Sequence, residues 1–204
     1  RGFSEEAIEK LGYKTYKVGN YKEGSKIAKI LSGRGLSLEG TPGFYTYNKV
    51  WNLMAFEPSI TICYRDYNAR IQGMQLRFRN KKEGTPRYLW LSSANKFGGP
   101  FDKGCGGSFL HFATDFTWNE EKGINEAVLG ETVVLTEGAL KADLFHFLTG
   151  VPCLAVPGVN SYKCFEDVIP ILKEKGVKKI ILAFDMDYID KKEVQKAEAK
   201  IKEI

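Results

Sequence analysis

Three carboxylates stand where apolar runs end, and a metal-assisted reaction on a phosphate is the chemistry they suit. Glu137 closes the run TVVLT and is followed at once by Gly138 and a helix-like pattern, ALKADLFHFLT. Asp185 and Asp187 follow a second apolar run, KKIILAF, with Asp185 placed 48 residues after Glu137. Two aspartates at alternate positions point the same way where the backbone stays extended, and hard carboxylate oxygens suit magnesium. Clustered carboxylates repel one another without a cation, which favours a metal over a bare acidic patch. Gly138 has no side chain and lets a backbone or a phosphate approach Glu137. Neither motif is specific alone, because a DxD after a strand commonly caps the next helix. On one sheet, the two together point to a metal site.

For these carboxylates to meet, their strands must share that sheet. From about Gly130 the chain reads as strand, helix, strand, helix, strand: TVVLT, GALKADLFHFLTG, VPCLAVPG, SYKCFEDVIPILKEKG with an interruption at Pro170, and KKIILAF. A charged helix, YIDKKEVQKAEAKIKEI, follows. This order is that of a parallel sheet covered by helices, where ligands gather beyond the carboxyl ends of the strands. Glu137, Asp185 and Asp187 should then project from one edge.

The upstream half has a different texture. Ser4, Glu5 and Glu6 predict a helix start, since a hydroxyl caps free N–H groups and acids oppose the helix dipole. A second short helix is predicted over 25–31, and strands and turns follow Pro42. SITICYRD and RIQGMQLRFRN read as two strands of a hairpin joined by the turn YNAR, with RYLWLSS as a third. Alternation places Gln75, Arg77 and Arg79 on one face of the second strand and Met74, Leu76 and Phe78 on the other. A glycine-rich loop is predicted over 95–108. Between Ser59 and Lys103 nine basic residues face three acidic ones, a surplus of six, while the whole chain carries only +5. A local basic surface suits a polyanionic partner, and a solvated strand face explains the same charges equally well. The boundary between the halves is placed near Trp118 to Gly130, with NEEKG as a polar link.

Composition narrows the class. A chain of 204 residues, 43% hydrophobic and 27% charged, can bury a real core. Its apolar runs fall far short of the roughly 20 residues a membrane-crossing helix needs, and its charged first residues do not read as a secretory signal. The chain starts without Met, as a fragment would. Four cysteines without CxxC spacing, beside only two histidines, argue against zinc. Cys63 and Cys153 lie in apolar runs and read as buried thiols, which fits a reducing cytoplasm.

A strand ending in EG, a helix, and a later strand ending in DxD together resemble the Toprim domain shared by DnaG-type primases, topoisomerases and some nucleases. The upstream segments resemble primases in particular. ITICYRDYNARIQGMQLRF is similar to the primase segment of a strand ending in RD, a GR turn and a second strand. TPRYLWLSS resembles the primase PKYLNS, FDKG resembles FHKG, and RGFSEEAIEKLGY resembles the segment that opens the catalytic core. These pieces cover nearly the whole chain, and the likeness is greatest to the primase-like Toprim domains of phage and mobile-element replication proteins.

The resemblance implies an α/β fold, with an α+β basic subdomain over 1–125 and a Toprim-type parallel βαβαβ domain over 126–204. It implies a magnesium-dependent nucleotidyltransferase, with manganese as a substitute, that makes RNA primers on single-stranded DNA from nucleoside triphosphates in the cytoplasm. Glu137, Asp185 and Asp187 would be the catalytic metal ligands, and a replicative helicase a partner. Arg65, Arg77, Arg87 and Lys103 would contact template phosphates or the incoming nucleotide. Asp143 and Asp190 are read as solvent-facing helix residues rather than auxiliary ligands, and Tyr88 and Trp90 as core rather than base-stacking rings.

There are departures from the pattern. GMQLR stands where primases have GGR, Met186 replaces the glycine of DGD, and ALKAD replaces YMD. Primases continue past the DxD with another strand, more acids and a helical subdomain, so the expectation is a core shortened at its C-terminus. No zinc ribbon is present in the sequence. A metal-dependent Toprim nuclease and a non-catalytic DNA-binding module are the alternatives.

Overall fold

Alternating side chains of TVVLTE build the middle of a sheet in the computed structural model, which describes residues 3–79, 84, 86–92, 109–158, 161, 163–184, 195, 199 and 200. The chain divides into two compact units. One takes the described residues of 1–11, 64–72 and 108–204, and the other those of 12–63 and 73–107.

The first unit holds the sheet β12-β10-β11-β7, made of β7 (His111–Ala113), β10 (Thr132–Glu137), β11 (Cys153–Val156) and β12 (Lys179–Ala183). β10 runs parallel to both β11 and β12, and β7 is antiparallel to β11. Helix α3 (Ala139–Thr149) links β10 to β11, while α4 (Lys163–Glu166) and α5 (Ile169–Glu174) link β11 to β12. Such crossovers are what parallel strands require.

Val133 and Leu135 of β10, with Leu154 and Val156 of β11, pack on one sheet face with Phe112, Phe165 and Leu172. Val134, Cys153 and Ala155 pack on the other with Ala142 of α3. Both faces are covered, so these strands read as unbroken apolar runs. Each valine, leucine or phenylalanine among them contributes about 1.5–3 kcal/mol through burial.

Helix α3 ends at Gly150, whose φ of 71° permits a left-handed cap with its N–H on His146 O at 2.7 Å. The predicted interruption at Pro170 is present as a break before α5. Pro170 itself lies in the first turn of α5, where its missing N–H costs nothing. The polar NEEKG stretch forms the turn between β8 (Phe116–Asn119) and β9 (Ile124–Ala127), closed by Gly123 N–H on Asn119 O at 2.9 Å. Helix α1 (Glu5–Leu11) opens the unit, with Ser4 Oγ accepting from Ala7 N–H as its residues predict.

The second unit is built on the sheet β1-β4-β5-β6: β1 (Lys14–Tyr16), β4 (Ser59–Arg65), β5 (Ile71–Phe78) and β6 (Tyr88–Trp90). The predicted hairpin and third strand are thus present. Beside this sheet stands a ribbon of β2 (Phe44–Tyr47) and β3 (Val50–Leu53) against helix α2 (Tyr21–Gly33). Leu76 packs with Met74 and Phe78 as alternation predicts, joined by Leu53, Phe44 and Leu91. The opposite face of β5 is less open than its arginines suggest, because Gln75 is buried. Helix α2 starts four residues earlier than expected. Asn20 Oδ1 accepts from Glu23 N–H at 3.0 Å and Glu23 Oε2 accepts from Gly19 N–H at 2.8 Å, a variant of the capping box in which the glutamate reaches one residue past the N-cap, and this fixes the start.

Candidate active site

Glu137 is the last residue of β10, half-buried at the carboxyl edge of the parallel sheet. The strand ends beside it are pinned. Gly138 N–H donates to Val156 O at 2.8 Å, and Thr136 Oγ1 donates to Ala183 O at 2.7 Å. Thr136 pairs with Ala183, so β12 finishes level with Thr136, one residue short of Glu137, and the chain passes through Phe184 towards Asp185. Asp185 and Asp187 lie outside the described residues, as do Lys103 and Asp190. Among the described residues, no group of three metal-ligating side chains gathers.

Gly138 has φ 83°, a conformation that side chains rarely adopt, and among the described residues beyond its two chain neighbours a Cβ built there would meet no atom within 4 Å. The turn from strand to helix therefore requires glycine through its backbone rather than through crowding by the described residues.

Arg65 ends β4 and is half-buried, its Nη1 donating to Ala69 O at 3.1 Å. The turn it spans is tied by Asp66, whose Oδ1 accepts from Asn68 N–H at 2.8 Å and Arg70 N–H at 2.9 Å. This Asx-type arrangement explains why a polar turn follows Arg65. Arg65 N–H also donates to His111 Nδ1 at 3.1 Å. His111 Nε2 lies 2.9 Å from Asp143 Oδ1, and Tyr64 sets its ring edge-on to the imidazole at 5.6 Å between centroids. Since Nδ1 accepts, the proton sits on Nε2 and is donated to Asp143.

Asp143 is therefore not solvent-facing, and the reading of it as such is overturned: it is 4% exposed. The helix period carried the signal, because Ala139, Ala142 and Asp143 are the buried residues of α3, spaced three and four apart. His111 was missed because its partners are distant in sequence. Burial pushes the Cys153 thiol up to about 12, and the negative charge of Asp143 adds to the shift.

In the second unit, Arg77 Nε donates to Tyr88 Oη at 3.2 Å, with its guanidinium 6.0 Å from that ring's centroid. Arg77 and Tyr88 are cross-strand partners, so the phenol holds the guanidinium over the sheet. Arg87 lies just before β6 and is exposed, with its carbonyl accepting from Phe78 N–H at 3.0 Å. The strand pairing sets Arg77 opposite Tyr88, next in sequence to Arg87, while Arg65 belongs to the other unit. Tyr88 is partly exposed rather than core.

No family model matches the chain, and no curated protein is similar to it at the level of sequence. Solved structures are similar. The RNA polymerase domain of Mycobacterium tuberculosis primase DnaG, in complex with a double-stranded DNA oligomer with a 6-nucleotide overhang, superposes with a TM-score of 0.61 at 14% identity, over 93% of this chain and 55% of that one. A structure of the DnaG catalytic core gives 0.57 at 14% identity, over 98% of this chain and 55% of that one. The primase fragment of the bacteriophage T7 primase-helicase protein gives 0.52 at 17% identity, over 100% of this chain and 58% of that one. The chain thus spans a little over half the length of these structures. Its α/β architecture, with parallel strands in a mixed sheet, is the primase-like Toprim fold of these catalytic cores.

Proposed function

We propose that this chain is the catalytic-core portion of a DNA primase, which joins ribonucleotides into short primers on single-stranded DNA. The observation that carries the reading is Glu137 at the end of β10, one residue beyond the level at which the neighbouring strand ends on its way to Asp185 and Asp187, within a fold shared with primase cores. A 1–125 primase-like subdomain and a 126–204 Toprim-like domain are the divisions this reading assigns.

The donor set fits a hard divalent cation, since Glu137, Asp185 and Asp187 offer only carboxylate oxygens and no described residue beyond its chain neighbours crowds Gly138. Magnesium, with manganese as a substitute, would offset charge on the triphosphate and help to activate the attacking hydroxyl. The chain's own residues supply the rest. Pinned strand ends hold Glu137 in place without reorganisation, and Arg65, Arg77, Arg87 and Lys103 attract the template backbone or the triphosphate. Such contacts are salt-sensitive and largely blind to sequence. A replicative helicase is the natural partner of an enzyme that primes behind an opening fork. No helix among the described residues is long and apolar enough to cross a membrane, and the reading places the protein in the cytoplasm with its template.

The test is incubation of the full-length protein with single-stranded DNA, labelled ribonucleotides and magnesium or manganese. Short labelled RNA supports priming, and Glu137→Gln should reduce it by about a hundredfold or more, as loss of a metal ligand does. Shortened DNA in place of RNA would mean a nuclease. Primer synthesis undiminished in Glu137→Gln would sink the site.

A further inference from the structure

The β2–β3 ribbon carries aromatic rings that belong to none of the buried clusters. Pairing of Tyr45 with Asn52 and Tyr47 with Val50 puts these four side chains on one face. That face meets the start of α2, because Asn52 Nδ2 donates to Tyr21 O at 3.1 Å. The rings of Tyr21 and Tyr47 touch edge-on, 5.8 Å between centroids, yet are 45% and 57% exposed. Tyr45 stands beside them, its phenol held above the ordinary value by burial and by Tyr21.

The turn adds charge at a cost. Asn48 and Lys49 both have positive φ, 48° and 63°, as in the mirror-image hairpin turn whose second position usually takes glycine. A lysine there strains the backbone, and it puts an exposed basic residue in the two-residue turn between Tyr47 and Val50. Lys22, next to Tyr21, is exposed as Lys49 is. The nearest acid in sequence, Glu23, is turned to Gly19 N–H. Exposed rings flanked by amines fit a single strand of nucleic acid, whose bases stack while its phosphates meet the lysines. An apolar protein partner would gain nothing from a charge at that turn position.

We propose that Tyr21, Tyr45 and Tyr47, with Lys22 and Lys49, form a stacking platform for single-stranded DNA. The platform rests on the reading of this chain as a protein that handles such strands, and it is carried by elements other than those that hold Glu137.

Binding of a fluorescein-labelled oligo(dT) of about 20 nucleotides, longer than one such site, is measured by anisotropy on the full-length protein. Tyr47→Ala and Tyr21→Ala should each weaken binding about five- to tenfold, while Tyr47→Phe stays near wild type. Lys49→Gln should lower the slope of log affinity against log salt by about 0.7. On the unmodified protein, an oligonucleotide carrying 5-iododeoxyuridine should cross-link under ultraviolet light to the peptides that contain Tyr21 or Tyr47.

Wild-type affinity in both alanine variants, or cross-links confined to other peptides, would overturn the platform. So would gel filtration in which Tyr47→Ala splits a dimer without changing DNA affinity, since the face would then be a self-association surface. Failure of the primase reading is separable. Protein that makes no primer but loses binding in Tyr47→Ala keeps the platform and loses the enzyme, whereas primer synthesis with unchanged binding in both variants does the reverse.

Discussion

His111 donates its Nε2 proton to Asp143 across 2.9 Å, with the two side chains only 3% and 4% exposed. The pair joins β7 to α3, and through Nδ1 it holds the backbone of Arg65. Arg65 and the helix that follows Glu137 thus share one buried link. Asp143→Ala should leave the imidazole N–H without an acceptor and destabilise the fold by about 1–3 kcal/mol. Asp143→Asn, which keeps an oxygen acceptor, should lose less. Urea denaturation of both variants checks this, and the same measurement on His111→Leu, Asp143→Leu and the double variant checks the pair, because removing both polar groups together should cost less than the two single leucine losses added. Full additivity would mean that the pair does not interact.

The parallel strands were legible in the sequence because each is an apolar run, buried on both faces in β10 and β11 and half-exposed in the edge strand β12. TVVLT, VPCLAV and KKIILA are apolar runs bounded by glycine or charge, and their order alone places Glu137 at a strand end. The hairpin FTWN/INEA was not legible as strands, because four-residue strands with polar residues on one side resemble a link. The early start of α2 follows from Asn20 capping the Glu23 N–H while Glu23 reaches back to the Gly19 N–H, a cue overlooked beside the apolar residues that begin at Ile27. Asp143 went unread because a charged helix residue defaults to solvent unless a partner is known, and His111 lies 32 residues away. Contacts of that range leave no local pattern.

Gly24 marks where α2 meets β3. A Cβ there would lie 2.3 Å from Leu53 O and 2.4 Å from Asn52 Oδ1. Alanine gains up to about 1 kcal/mol over glycine within a helix, but a backbone oxygen cannot yield as a side chain can, and overpacking costs about 1–3 kcal/mol. The steric term should win. Gly24→Ala is expected to lower Tm, whereas Gly33→Ala, where nothing lies within 4 Å, should not. A rise in Tm for Gly24→Ala would mean that helix and ribbon are less closely packed.

Two thiols make the fold sensitive to alkali. Burial pushes Cys153 up to about 12, helped by Asp143, and likewise Cys164, whose Sγ donates to Ser161 O at 2.9 Å. In the unfolded chain each loses its proton near the ordinary thiol value, so between about 9 and 12 the folded state binds more protons. Stability from these groups is full below that window and falls as pH rises through it, with a slope of up to about 1.4 kcal/mol per pH unit for each thiol. Lysines and tyrosines titrate over the same range, which makes the difference from a variant the useful measure. Cys153→Ala and Cys164→Ala should each flatten the fall in urea midpoint between pH 8.5 and pH 10.5, two values chosen at about the edges of the measurable range. Asp143→Asn should lower the pH at which Cys153 ionises, followed as thiolate absorbance in the folded protein. An unchanged ionisation there would mean that burial alone sets the thiol, and that the negative charge on Asp143 is spent on His111.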